Sequence, residues 1–149
     1  MRKFIQQKLK DQKGLTLIEL LAVIVIIAII AAIAIPAIGN IIENSRVGAI
    51  KSDAQNAIAA ANIYYTDNPD EAGPVDVFTL LADDYLQDSG SLDAAATGTI
   101  ITKVTGGNTI SGTGEAGGVS IEFTGATNTA IADVANSSAT GTTAVAITR

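Results

Sequence analysis

The sequence predicts an α+β protein in which one long N-terminal helix packs on a small antiparallel β-sheet of three or four strands. Three observations predict it. Apolar residues fill positions 15–42 almost without interruption. Val47, Ile50, Ala54, Ile58, Ala61 and Tyr65 then recur at steps of three and four, the helical period. From residue 99 onward Thr, Gly, Ser and Ala dominate, and alternation replaces helical spacing.

A chain of 149 residues has room for one domain plus an N-terminal segment. Aromatic residues are only 4% and Trp and His are absent, so the core is built from Ile, Val, Leu and Ala with a few Phe and Tyr. The absence of His and Cys removes most routes to zinc, thiol and triad chemistry, and it removes disulfides. No nucleophile, base and orienting group occur together, so neither an enzyme nor a cofactor or metal site is expected. Charge is divided sharply. Residues 1–14 hold five basic residues and Asp11, a net of +4, whereas the remainder holds four basic and fourteen acidic residues, a net of −10. A basic segment before an apolar span is retained on the cytoplasmic side. The acidic body repels phosphate backbones, so the isolated domain is not expected to bind nucleic acid.

From Leu20 to Ile42 there are 23 residues without a formal charge. As a helix this run is about 35 Å long, enough to cross a hydrocarbon core. It is apolar on every face, which suits lipid or a helix bundle, and Ala22, Ala28, Ala31, Ala32, Ala34 and Ala37 permit close helix approach. Pro36 removes a backbone donor and Gly39 adds a second weak point, so a kink is expected there. Glu19 is the only charged residue between Lys13 and Glu43. Keeping such a carboxylate in hydrocarbon costs about 2.5–3.5 kcal/mol, which marks it as a functional residue. In an ordinary secretory signal the apolar region precedes the cleavage site. Here it follows Gly14, so a cut at Gly14 leaves the apolar segment on the mature chain. The topology alone fits an uncleaved signal anchor equally well.

Residues 13–36 resemble the N-terminus of type IV prepilins, here of a cysteine-free, Gram-positive-like type. The likeness rests on a short basic leader, Gly14 before the cleavage point, a hydrophobic Leu15 opening the mature chain, Glu19 as its fifth residue, and Pro36 within a long apolar helix. Leu15 departs from the Phe most often found at that place. The resemblance implies the type IV pilin fold. It also implies that a membrane prepilin peptidase cuts the Gly14–Leu15 bond and methylates the new amino group of Leu15. Glu19 then pairs with the charged N-terminus of Leu15 on a neighbouring subunit and sets register in a helical filament. Other implied partners are a pilus assembly platform, minor pilins and, before assembly, the membrane.

The chain divides as a leader (1–14), an apolar transmembrane or filament-core helix (15–38), its amphipathic continuation (39–66), a loop with a short helix (67–98) and a sheet region (99–149). Arg46, Lys51, Asp53, Gln55 and Asn56 occupy other faces of the amphipathic helix than the Ala-rich stripe. The helix ends at the cluster Thr66–Asp70, since a residue before proline is forced out of the α region. Asp67, Asp70, Glu71 and Asp76 lack the spacing of an EF-hand, so this is read as a solvated loop. Asp76 is positioned to cap a short helix whose apolar face is Val77, Leu80, Leu81, Tyr85 and Leu86.

Strands are expected at 99–105, 118–124 and 142–148, with a fourth at 109–111 and a flexible loop from Gly112 to Gly118. Their inner face is expected to be Ile100, Val104, Val119, Ile121, Phe123, Val145 and Ile147. The glycines of that loop lack the Lys-Ser/Thr of a phosphate loop, and Asn136–Ser138 matches a short glycosylation sequon. Three functions follow from these features. The first is a structural subunit, a major pilin, of a filament for adhesion, motility or DNA uptake, membrane-bound as a precursor and extracellular when assembled. The second is a pseudopilin of a type II secretion or competence system, and the third is a surface binding module on an uncleaved anchor.

Overall fold

The computed structural model describes residues 16–138 and 145–148. It is an α+β structure: a helix α1 (Leu17–Asp67), a strand β1 (Val75–Asp76), a helix α2 (Val77–Ala82), strands β2 (Ile100–Thr102), β3 (Thr109–Ala116) and β4 (Val119–Thr127), a helix α3 (Asn128–Asp133), a 3-10 turn (Asn136–Ser138) and strand β5 (Val145–Thr148). The architecture is consistent with the type IV pilin fold. The chain forms two compact units that divide after Gly39, within α1. In the first unit Leu17 to Ile38 is helical and its large apolar side chains are exposed on every face.

In the second unit the later part of α1 lies on the sheet through the stripe read from the sequence. Val47, Ile50, Ala54, Ile58, Ala61 and Tyr65 are all buried. Small alanines at Ala54, Ala57, Ala60 and Ala61 keep the helix close to the strands. Gly114 of β3 completes that fit, because a methyl group there would stand 2.5 Å from Ile50 Cγ2.

The sheet departs from the expected three or four antiparallel strands. Among the described residues it has five, in the order β1-β2-β3-β4-β5. The first three pairings are antiparallel and β4–β5 is parallel, with Ile121 opposite Val145 and Phe123 opposite Ile147. A parallel neighbour requires a crossover, and α3 lies on that connection with Ile131 buried. Residues 142–144 of the expected last strand lie outside the described residues.

Two further expectations are corrected. The stretch 112–118 is not a loop: β3 runs on to Ala116 and turns into β4 through Gly117-Gly118, both with positive φ, as a two-residue hairpin demands. Its glycines and lone Glu115 carry too little β-branched signal to read as a strand. The inner face of β2 is Ile101, fully buried, and not Ile100. The strand is three residues long, and a one-residue slip exchanges faces. Val119, Ile121, Phe123 and Ile147 do face the core. Asp76 caps α2, its side chain accepting from Thr79 N at 2.6 Å.

Candidate functional site

The helix begins at a reciprocal pair of residues. The Thr16 amide donates to Glu19 Oε2 at 2.9 Å and the Thr16 hydroxyl donates to the same oxygen at 2.8 Å. The Glu19 amide in turn lies 3.3 Å from Thr16 Oγ1. This is a capping box, in which a residue before the first turn and a carboxylate three positions on satisfy each other's backbone donors. Among the described residues nothing donates to the second Glu19 oxygen, Oε1. The Thr-x-x-Glu spacing was legible in the sequence, but the charge of Glu19 was read there and its hydrogen bonding was not.

Gly14 and Leu15 lie outside the described residues. Beyond the box, Leu17 is 80% exposed and the apolar side chains that follow are open through Ile38. Pro36 and Gly39 both lie inside the continuous helical run of α1. The segment is long and apolar enough to cross a membrane.

In the second unit Arg46, Lys51 and Asp53 of α1 are held by groups of their own domain. The Arg46 guanidinium donates to Gly117 O at 2.6 Å, and Gly117 has no Cβ, which would fall 2.5 Å from Arg46 Nε. The Lys51 ammonium donates to Val134 O and Ala132 O, at the C-terminal end of α3, and to Asn136 Oδ1. The Asp53 carboxylate accepts from the amide and hydroxyl of Ser91 at 2.8 and 2.7 Å. The most exposed face of α1 between Asn40 and Thr66, with Ser45, Ala49, Ser52, Asn56, Ala59 and Ile63, carries no charge, while Glu43, Arg46, Lys51 and Asp53 are half-buried. Helical spacing placed these charges off the apolar stripe, but their partners come from remote loops and were not readable.

A groove of about 430 Å³ is lined by Ser91, Leu92, Asp93, Thr113 and Glu115. Two of its side chains are already engaged: Ser91 is held by Asp53 of α1, and Asp93 accepts from Ala95 N at 3.0 Å. Of the acidic residues near the end of α1, Asp76 is the α2 cap and Asp67 accepts from the Tyr85 hydroxyl at 3.2 Å. Tyr64 stands edge-on to both Tyr65 and Tyr85, with ring centroids 5.6 and 5.4 Å apart. The Tyr65 hydroxyl is within donating distance of Gly73 O and Ile101 O, and burial pushes its pKa above the usual phenol value. Burial and then the Asp67 carboxylate push Tyr85 in the same direction.

Residues 9–35 match the family model described as the prokaryotic N-terminal methylation motif. No curated protein and no solved structure matches the chain. The matched segment spans Gly14, Leu15, the Thr16–Glu19 box and most of the exposed apolar helix, and ends one residue before Pro36. A methylation motif joined to such a helix supports a membrane-anchored precursor. Residues 9–35 thus carry the motif of the class III signal peptide found in type IV pilins.

Proposed function

We propose that this protein is a subunit, a major pilin, of a type IV pilus. The prepilin peptidase cuts between Gly14 and Leu15 and methylates the Leu15 amine. The subunit then leaves the membrane and polymerises into an extracellular helical filament for adhesion, motility or DNA uptake. The observation that carries this reading is the methylation motif at residues 9–35, in register with Glu19 at the start of a helix whose first half is apolar on every face.

The physical logic has two parts. An apolar helix exposed on all faces needs lipid or other apolar helices around it, and it can use each in turn. Glu19 gains a cationic partner only after cleavage creates an amine at Leu15. That attraction in an apolar bundle is offset by desolvation, so the pair acts chiefly on register by disfavouring positions that leave the carboxylate without a cation. Pro36 removes one backbone donor and Gly39 lacks a side chain, so both are weak points of the helix. The uncharged outward face of α1 between Asn40 and Thr66 suits packing against further copies, since no charge has to be desolvated there.

The test is N-terminal mass analysis of material sheared from cells. Abundant protein beginning at a methylated Leu15 supports the reading. Full-length protein retaining residues 1–14 points to an uncleaved anchor and overturns it. Processed protein that stays scarce and forms only short fibres points to a pseudopilin.

A further inference from the structure

Oxidisable side chains are sparse in this sequence. Cys, Trp and His are absent, Met1 is the one methionine, and the three tyrosines are Tyr64, Tyr65 and Tyr85. With the thiol and thioether routes of oxidation closed from Leu15 to Arg149, that chemistry falls to the tyrosines. The fold gathers all three. Tyr64 stands edge-on between the other two, with ring centroids 5.6 Å from Tyr65 and 5.4 Å from Tyr85.

The surroundings of the rings differ. A phenol that loses an electron becomes a strong acid, so its oxidation is easiest where a base within hydrogen-bond reach takes the proton. Tyr65 is buried, and its hydroxyl faces the carbonyl oxygens of Gly73 and Ile101 at 2.9 and 3.0 Å, which are poor bases. The Lys103 ammonium stands 5.2 Å from the Tyr65 ring centroid, and its positive charge opposes loss of an electron. Tyr85 has the opposite setting. Its hydroxyl donates to Asp67 Oδ2 at 3.2 Å in an exposed contact, and Asp67 and Asp83 add negative charge beside it. Among the described residues it is the one tyrosine hydroxyl bonded to a carboxylate.

We propose that Tyr85 is an oxidative modification site, where a one-electron oxidant of the nitrogen dioxide class acts and Asp67 receives the phenolic proton. The electron leaves the Tyr85 ring and reduces one nitrogen dioxide to nitrite, while the O–H bond breaks toward Asp67. A second nitrogen dioxide forms a C–N bond at the ring carbon ortho to the oxygen, and the hydrogen on that carbon moves to the oxygen. Two molecules of nitrogen dioxide thus yield nitrotyrosine, nitrite and a proton. The site lies wholly within the second unit and does not depend on the filament reading.

The test treats the full-length chain in detergent micelles with limiting peroxynitrite in bicarbonate buffer, which releases nitrogen dioxide. Peptide mass spectrometry then maps nitrotyrosine in wild type, Asp67→Asn and Tyr85→Phe. Nitration of wild type is expected to be severalfold greater at Tyr85 than at Tyr64 or Tyr65, and total nitrotyrosine is expected to fall by more than half in Tyr85→Phe. Asp67→Asn keeps the shape and a hydrogen-bond acceptor but loses the base. It is expected to lower nitration at Tyr85 severalfold and to leave Tyr64 unchanged. In wild type unfolded by denaturant the preference for Tyr85 is expected to vanish, which needs no variant to fold. Equal nitration of the folded chain at all three tyrosines, or preference for Tyr65, overturns the site. A preference for Tyr85 that survives unfolding overturns its origin in the fold, and unchanged Tyr85 nitration in Asp67→Asn overturns the role of Asp67.

Discussion

Lys51 Nζ lies 2.5 Å from Val134 O, and the same ammonium reaches Ala132 O at 3.3 Å and Asn136 Oδ1 at 3.2 Å. The side chain thus ties α1 to the last carbonyls of α3, where the helix dipole is negative. This fastens the crossover that lets β5 run parallel to β4.

Replacing Lys51 by Met keeps the aliphatic stem and removes the donors. We expect a loss of about 1–2 kcal/mol in stability. Chemical denaturation of the full chain in detergent, followed at the tyrosines, measures it. A Lys51→Met variant as stable as wild type would show that the three contacts contribute nothing net.

Gly114→Val places a branched side chain where even a methyl group meets Ile50 Cγ2 at 2.5 Å and Leu92 Cδ2 at 3.4 Å. Overpacking of this kind costs about 1–3 kcal/mol. The same denaturation midpoint reads it, and pairing the change with Ile50→Ala is expected to recover part of the loss.

The Tyr65 hydroxyl, between Gly73 O and Ile101 O, titrates above the unfolded phenol value of about 10 because it is buried. Its folded-state pKa is raised, so its contribution is fully present below that unfolded value and is lost as pH rises through the folded one. Stability is therefore expected to fall above about pH 10. Tyr65→Phe should cost about 1–2 kcal/mol at neutral pH, by removing the buried hydroxyl's hydrogen bond, and should make the alkaline decline shallower. Denaturation midpoints at neutral and alkaline pH for both proteins decide this.

Gly14→Val is expected to slow processing strongly, because a branched side chain blocks close backbone approach at the bond to be cut. The ratio of precursor to mature protein on a denaturing gel measures it, and normal processing would count against Gly14 as the site. Glu19→Val is expected to leave insertion and cleavage intact while filament yield falls. Normal filaments of Glu19→Val alone would remove the register role.

The outcomes divide by the range over which the physics acts. The stripe from Val47 to Tyr65 was legible because helical periodicity is written in neighbouring residues, and each of its six positions is buried. The Asp76 cap was legible for the same reason, since its partner Thr79 is three residues away. The Thr16–Glu19 box has this local character too, its two residues standing three positions apart. By contrast, Ile101 and not Ile100 faces the core, and nothing within three residues of strand specifies that choice. The partner β3 sets it, through the pairing of Ile101 with Ile110.

By itself, then, the sequence determined the long helix, its two contrasting halves, the lone carboxylate at its start and the motif that surrounds it. Hydrophobic period, helix caps and charge placement are all encoded within a few residues of chain. Only the tertiary structure decided that the sheet has five strands, that β5 runs parallel to β4, that Gly114 gives Ile50 its place, and that Arg46, Lys51 and Asp53 are held by Gly117, the end of α3 and Ser91. The contacts of Asp53, Arg46 and Lys51 join residues from 38 to 83 positions apart. They depend on which backbone donors and acceptors packing brings together, and no local pattern carries that information.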